Sequence, residues 1–397
     1  MAELPLKGIR VADFSQGVAG PIAAMLMGDL GADVIKVEPR RGDWIRSVGR
    51  KVEQAMSPTY LSMNRNKRGI AVDMKDERGI AALRKLAVES DIVVESFRPG
   101  VMERFELGYE HLRAANPGVV YASVTGYGRD GPYVDLPGAD SVIQAMGGIM
   151  SINGQDGGDP LRFGMFMVDM ITGNTAYQGV LGALLGKMKS GEGSHVHTNL
   201  LDAIMAFQAP PITEYLLYGL MPERNGNVNS YVAPSGVFKT ADSFLMFTAL
   251  EQHWPACCEA LGLESLRDDP RFAVNADRLT HRDELLVLVR EKLTARTTAD
   301  WLTLFRHHDI LCAPINDYAT LVNDPQVGVN ALLRTMEHST FGPVPFVANP
   351  VRYEGLEMSY TPPPALGEHT REVFEKDLGY APAQVNELLA AEVIAGA

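Results

Sequence analysis

Asp169 lies inside the run RFGMFMVDMITGNTAYQGVLGALL (Arg162–Leu185), where nearly every neighbour is apolar. A carboxylate in such company is costly unless hydrogen bonds or a chemical role hold it there. From Met170 onward the spacing reads as helix, and Asp is a favoured helix N-cap. A carboxylate at a helix start is stabilised as an anion by the first backbone amides. Facing a cleft rather than solvent, the same group can serve as a nucleophile. Cap and nucleophile are compatible readings, and both stay open on spacing alone.

A second candidate is the turn GVAGP (Gly17–Pro21), which follows an apolar run and opens a helix. Free amides at such a helix start suit a phosphate. Glu38 ends the next apolar run about 20 residues later, where a dinucleotide fold keeps its ribose-binding acid. The turn is not GxGxxG, however, and Pro21 is an ordinary first-turn residue. A plain strand–helix turn explains it as well. Two basic groups complete the set: Arg65, Lys67, Arg68 and Lys75 in NRNKRGIAVDMK, and Arg98 and Arg104 in ESFRPGVMERF. At strand ends of an open α/β sheet they would hold a phosphate-rich ligand; otherwise they form a solvated surface.

Other polar pairs point to no chemistry. His195 and His197 share one side of an expected strand but lack a third ligand, so no metal site is expected. Cys257 and Cys258 fall on an amphipathic helix and read as core. With Cys312 they make three cysteines without a CxxC, which fits a reducing compartment. The methionines of MFMVDM read as packing.

The elements that position these groups alternate. GIRVADFS, DVIKVE, KRGIAVDM, DIVVESF and GVVYASVTGYG read as strands, with helical stretches between them such as DERGIAALRKLAVES. Alternation of this kind predicts an α/β fold with a parallel sheet covered on both faces. After the polar stretch PERNGNVNSYVAPSG, the segment Val228–Asn323 reads as a smaller α+β domain: a hairpin in GVFKTADSFLMFTAL, then helices around Trp254–Leu261, Arg282–Thr294 and Thr298–His308. The tail returns to amphipathic helix. The chain has 397 residues, 46% hydrophobic and 21% charged, enough for a full core. Its net charge is -13 and no Lys/Arg run forms a patch, so nucleic acid is not an expected partner. Neither a signal peptide nor a membrane span is expected, which makes the cytoplasm the anticipated location.

Taken in order, LKGIRVADFSQGVAGPIAAMLMGDLGADVIKVEP, NRNKRGIAVDMK, DIVVESFRPGVMERFELGYEHL, PGVVYASVTGYGRDGPY, DMITGNTAYQGVLGALL, GSHVHTNLLDA and LGEHTREVFEKDLGY resemble the class III coenzyme A transferases. This is the family of formyl-CoA transferase and carnitine CoA-transferase. The resemblance spans essentially the whole chain. It implies an interlocked homodimer, two chains threaded through each other. Each chain would have a large Rossmann-like domain (1–227, completed by 324–397) and a small domain (228–323). It also implies CoA or acyl-CoA as substrate, no permanently bound cofactor, and a carboxylic acid as acceptor.

By the same resemblance Asp169 is the nucleophile. It would form an aspartyl–acyl anhydride, then an aspartyl-CoA thioester that passes CoA to the acceptor. Asp140, in LPGAD, matches the family acid near the nucleophile. CoA contacts carry over to Gly17, Val18 and Ala19, to Val72 and Lys75, and to Ser96, Phe97, Val101 and Arg104. Arg40 lies where relatives hold the adenosine phosphates. NGNVNSYVAPSG replaces the glycine-rich flap of the formyl-CoA branch, so the chain is similar to the branch using succinyl-CoA and C4–C6 acids. Arg46, Arg50 and Tyr231 are then candidates for binding a dicarboxylate.

Three other readings compete. The α-methylacyl-CoA racemases share these motifs but use a histidine in a GHD stretch; here Ala139 stands in its place, removing one base. An NAD-dependent oxidoreductase would need GxGxxG and a hydride-site residue. A non-catalytic acyl-CoA binding protein would have no use for Asp169.

Overall fold

The computed structural model describes residues 3–49 and 56–396; Arg50 lies outside them. Two compact units emerge, one of residues 1–149, 162–220 and 330–397, the other of residues 150–161 and 221–329. The expected 228–323 segment falls within the second, which residues 150–161 also join.

In the first unit, β1 (Arg10–Asp13), β2 (Asp33–Glu38), β3 (Lys67–Val72), β4 (Ile92–Glu95), β5 (Val120–Thr125) and β6 (His195–Asn199) pair in parallel. Their order across the sheet is β3-β2-β1-β4-β5-β6. Side chains alternate between two buried layers. Val11, Val34, Ile92 and Val120 enter one, and Ala12, Ile35, Val93 and Tyr121 the other. Both faces are therefore covered by helices, as parallel strands require. The helix Glu77–Val88 buries Ala82, Leu83 and Leu86 in one layer, while Ala19–Asp29 and Met167–Ser190 bury Met27, Val180 and Leu184 in the other.

The second unit carries an antiparallel sheet of β7 (Ser235–Lys239), β8 (Phe244–Thr248) and β9 (Leu311–Pro314). Its core gathers Phe238, Phe247, Trp254, Trp301 and Phe305, with Cys257 and Cys258 buried among them. The tail of the first unit adds two features that the sequence pattern did not suggest. One is a hairpin of β10 (Leu333–His338) and β11 (Gly342–Val347); the other is β12 (Ile394–Ala395), which pairs antiparallel with β3. Both are short, and hairpins rich in Pro, Gly and Thr carry little periodicity. No helix among the described residues is long and apolar enough to cross a membrane.

Candidate active site

Strand order reverses between β1 and β4, and the turns leaving their carboxyl ends diverge to opposite faces of the sheet. Open α/β sheets bind ligands at such a point. Here it holds a cavity of about 720 Å³, lined by Gln16–Gly20 after β1, Ser96 and Phe97 after β4, and Thr125 and Gly126 at the end of β5. Its far wall is Gly138–Ser141 together with Arg162, Met165, Phe166 and Asp169.

Asp169 occupies the first turn of the helix Met167–Ser190, and the position before that helix, Phe166, offers no side-chain cap. The capping role expected of Asp169 belongs instead to Asp140. Its Oδ2 accepts the N–H groups of Val168 at 2.8 Å and Asp169 at 3.2 Å. Its Oδ1 accepts Nε2 of the buried Gln144 at 2.7 Å. Spacing could not reveal this, because the cap comes from 29 residues away. Relieved of capping, the Asp169 carboxyl faces the cavity. Burial and then the nearby Asp140 carboxylate push it up to about 7.

One turn beyond Asp169, Gly173 sets how closely this helix approaches Ala19–Asp29. A Cβ there would lie 2.7 Å from the Ala19 carbonyl oxygen and 2.9 Å from Ile22 Cβ. Those atoms are backbone and a β-branched stem, so neither yields easily. Gly173→Leu is expected to lower stability by about 1–3 kcal/mol through overpacking. A shift of about 1 Å in the Asp169 carboxyl would also slow any reaction that uses it more than tenfold. A thermal melt with steady-state kinetics checks this; an unchanged turnover would show that the helix contact does not govern the site.

Across from Asp169, Gly17 adopts φ +77°, the left-handed region open to glycine. Its N–H donates to both oxygens of Asp43, at 3.1 and 3.2 Å. Val18 and Ala19 follow at the cavity wall, where the first helical amides lack intrahelical acceptors. Ser96 Oγ accepts the Gln16 N–H at 2.9 Å and ties the β1 and β4 turns together. The structure thus brings Gly17, Val18, Ala19, Ser96, Phe97, Asp140 and Asp169 to one cavity. The other expected CoA contacts stand outside its lining. Val72 is buried in β3, Lys75 and Arg104 are exposed beyond β3 and β4, Val101 starts a short helix, and Arg40 pairs with Glu392 at 2.9 Å.

The profile of CoA-transferase family III matches residues 6–370. The chain belongs to this family and is a CoA-transferase. It is 37% identical over 393 residues to succinyl-CoA:glutarate CoA-transferase of Mus musculus, covering 98% of this chain and 90% of that one. It is 35% identical over 378 residues to succinate–glutarate CoA-transferase of Agrobacterium fabrum, covering 93% and 94%. Among solved structures, a CAIB/BAIF family protein from Brucella suis shares 30% identity with a TM-score of 0.84, over 94% of this chain and 99% of that one.

Several charged groups of the transferase do structural work. Glu38, in the place of a ribose-binding acid, is buried and grips Arg46 through Nε and Nη2, both at 2.7 Å. Arg46, considered above for substrate binding, also donates to Tyr60 Oη and the Pro364 carbonyl. Its guanidinium lies 3.7 Å from the Tyr60 ring centre and does not line the cavity. Arg65, Lys67 and Arg68, expected at a ligand edge, pair with Asp29, Asp13 and Asp33. They lie at or before the start of β3, away from its carboxyl end. Tyr231 is exposed on the second unit. His195 and His197 lie with ring centres 3.8 Å apart and their planes tilted by 47°. Burial, His197 and the Arg129 guanidinium hold His195 down at about 3. Among the described residues no cluster suited to a metal occurs.

Trp44 and Arg162 escaped the sequence reading: Trp44 packs over Gly17 and Arg162 faces the main cavity, while Arg98, one of the expected basic residues, lines an adjoining cavity of about 250 Å³ that shares Ser96 and Phe97. Arg162 opens the very run that flagged Asp169, and its charge was the available signal. Ala139 lines the main cavity, and no histidine does so among the described residues.

Proposed function

We propose that this transferase moves CoA from succinyl-CoA to a C4–C6 dicarboxylate or a close analogue, through covalent intermediates on Asp169. The observation that carries the reading is the Asp169 carboxyl itself, in the first turn of its helix and open to the cavity, with capping left to Asp140. The names of the mouse and Agrobacterium relatives supply the acids.

An Asp169 oxygen attacks the thioester carbonyl of the donor. The C–S bond breaks, leaving an aspartyl–succinyl anhydride and CoA thiolate. The thiolate attacks the aspartyl carbonyl, succinate leaves, and an aspartyl-CoA thioester remains. The acceptor carboxylate then displaces CoA thiolate to give a second anhydride. Attack of that thiolate on the acceptor carbonyl releases the new thioester and the free Asp169 carboxylate. No proton is gained or lost over the cycle, so no general acid or base is required. The protein's tasks are positioning and keeping water from the anhydrides. The amides at Val18 and Ala19, at the cavity wall, would stabilise the oxyanion. Asp140 acts as a positioning residue through the helix start. CoA would extend from Gly17–Ala19 and Ser96–Phe97 past Val72 and Val101, its phosphates toward Arg40, Lys75, Arg98 and Arg104.

The reading includes the interlocked homodimer with Rossmann-like large and α+β small domains. The helix Ala209–Tyr218 buries none of its residues, yet Leu216, Leu217 and Tyr218 are 75%, 66% and 72% exposed. Apolar surface of that extent suits a partner chain. Three free cysteines fit a cytoplasmic setting.

Mass spectrometry of the protein incubated with succinyl-CoA tests the chemistry. A CoA adduct, or a hydroxylamine-sensitive mark, is expected on the Asp169 peptide and absent in Asp169→Ala. Because the nucleophile is the anion, adduct formation should rise as pH passes through about 7. Absence of an adduct with a panel of acyl-CoAs would sink the proposal.

A further inference from the structure

We infer that Arg162 recognises the free carboxylate of a dicarboxylic substrate and so sets the preference for diacids. The inference rests on the transfer chemistry proposed above and names the residue behind its substrate class.

The cavity presents two carboxylates, Asp140 and Asp169, to substrates that are themselves anions. Like charges within a few ångströms repel strongly where water is scarce. Arg162 is the single Lys, Arg or His among the described residues lining that cavity. It has no carboxylate partner among the described residues. Its one side-chain hydrogen bond runs from Nη1 to the neighbouring Phe163 carbonyl at 3.3 Å. The buried cations nearby differ: Lys36, Arg46 and Lys67 are each committed to an acid of the chain. Arg162 is exposed and its remaining donors are available. A guanidinium grips a carboxylate through two parallel hydrogen bonds, so it reads the presence and the placement of that group.

The backbone next to Arg162 is registered to the nucleophile. The Phe163 N–H donates to Gln144 Oε1 at 2.8 Å, while Gln144 Nε2 holds Asp140 at 2.7 Å. Asp140 in turn caps the helix that carries Asp169. One buried amide side chain thereby spaces the cation from the reacting carboxyl. Donor and acceptor occupy the site in turn, so the free carboxylate of a succinyl group and the distal carboxylate of the acceptor meet the same guanidinium.

The test compares glutarate with its monomethyl ester as acceptors, with succinyl-CoA as donor in both arms. Effects on the donor half-reaction then cancel in the ratio of kcat/KM values. The wild-type enzyme should favour glutarate. Arg162→Gln should cut that preference ~10- to 100-fold, the range for a charge-assisted pair, chiefly by raising KM for glutarate. Arg162→Lys should restore part of it. An unchanged ratio in Arg162→Gln, or a wild-type enzyme indifferent to the ester, overturns the inference. If Arg162→Gln fails to fold by thermal melt, the ratio in Arg162→Lys decides: full wild-type preference there overturns the bidentate reading. A wild-type protein that forms no Asp169 adduct instead marks failure of the transfer reading itself.

Discussion

Asp169→Asn is expected to stabilise the protein while removing its activity. The carboxyl is pushed from 3.8 to about 7 by burial and by Asp140, so the folded state resists its charged form. A raised carboxyl pKa destabilises the fold wherever the unfolded chain has already ionised. That cost is absent below about pH 4, grows as pH rises, and is complete above about 7. Asparagine removes it, and the gain should reach roughly 2–4 kcal/mol at pH 8 and vanish near pH 4. Transfer should fall at least ~10³-fold, because the amide supplies no nucleophile to replace the one lost. Chemical denaturation at pH 4 and pH 8, with an assay of CoA transfer, checks both. Equal stability of variant and wild type at pH 8 would mean that the Asp169 charge is well solvated and carries no stored cost.

Asp43→Ala should produce the largest loss. Asp43 and Lys36 have fully buried side chains, and their charges meet at 3.0 Å. Burial works to lower the Lys36 pKa, yet Asp43, Asp13 and Glu38 outweigh it and hold the ammonium above its ordinary value. Without Asp43 a buried cation loses a partner, which costs about 3–5 kcal/mol. The N–H groups of Gly17 and Ile45 lose their acceptor as well. Because Gly17 opens the cavity wall, the surviving folded protein should also form the Asp169 adduct more slowly. Asp43→Asn keeps an acceptor without the charge and should fall between. A urea melt showing less than about 1 kcal/mol lost would mean that Ser15, Asp13 and Glu38 suffice to hold Lys36.

These expectations indicate which features were legible in the residues. The five N-terminal strands, the hairpin of β7 and β8 and the helix at Trp254–Leu261 follow local patterns of apolar spacing and turn chemistry, and each is found near its expected place. Asp169 stood out because an ionisable group in an apolar run violates a local rule. Gly17 stood out because a tight turn between strand and helix often needs a left-handed backbone, which glycine adopts without steric cost. The charged residues misled in proportion to their reach. Lys67 and Arg65 have side chains long enough to pair with Asp13 and Asp29, 54 and 36 residues away, and no spacing rule anticipates such partners.

The sequence by itself determined the α/β alternation, the family motifs and the isolated carboxylate, because these depend on neighbours a few residues apart. Only the tertiary structure decided that Asp140 caps the helix so that Asp169 need not, that Glu38 and Arg46 neutralise each other in the interior, and that Arg162 alone supplies positive charge to the main cavity among its described lining residues. The physical reason is common to all three. Whether a charge is free or committed depends on which opposite charge or hydrogen-bond donor the fold carries to within about 3 Å of it, and that distance is set by packing across the whole chain.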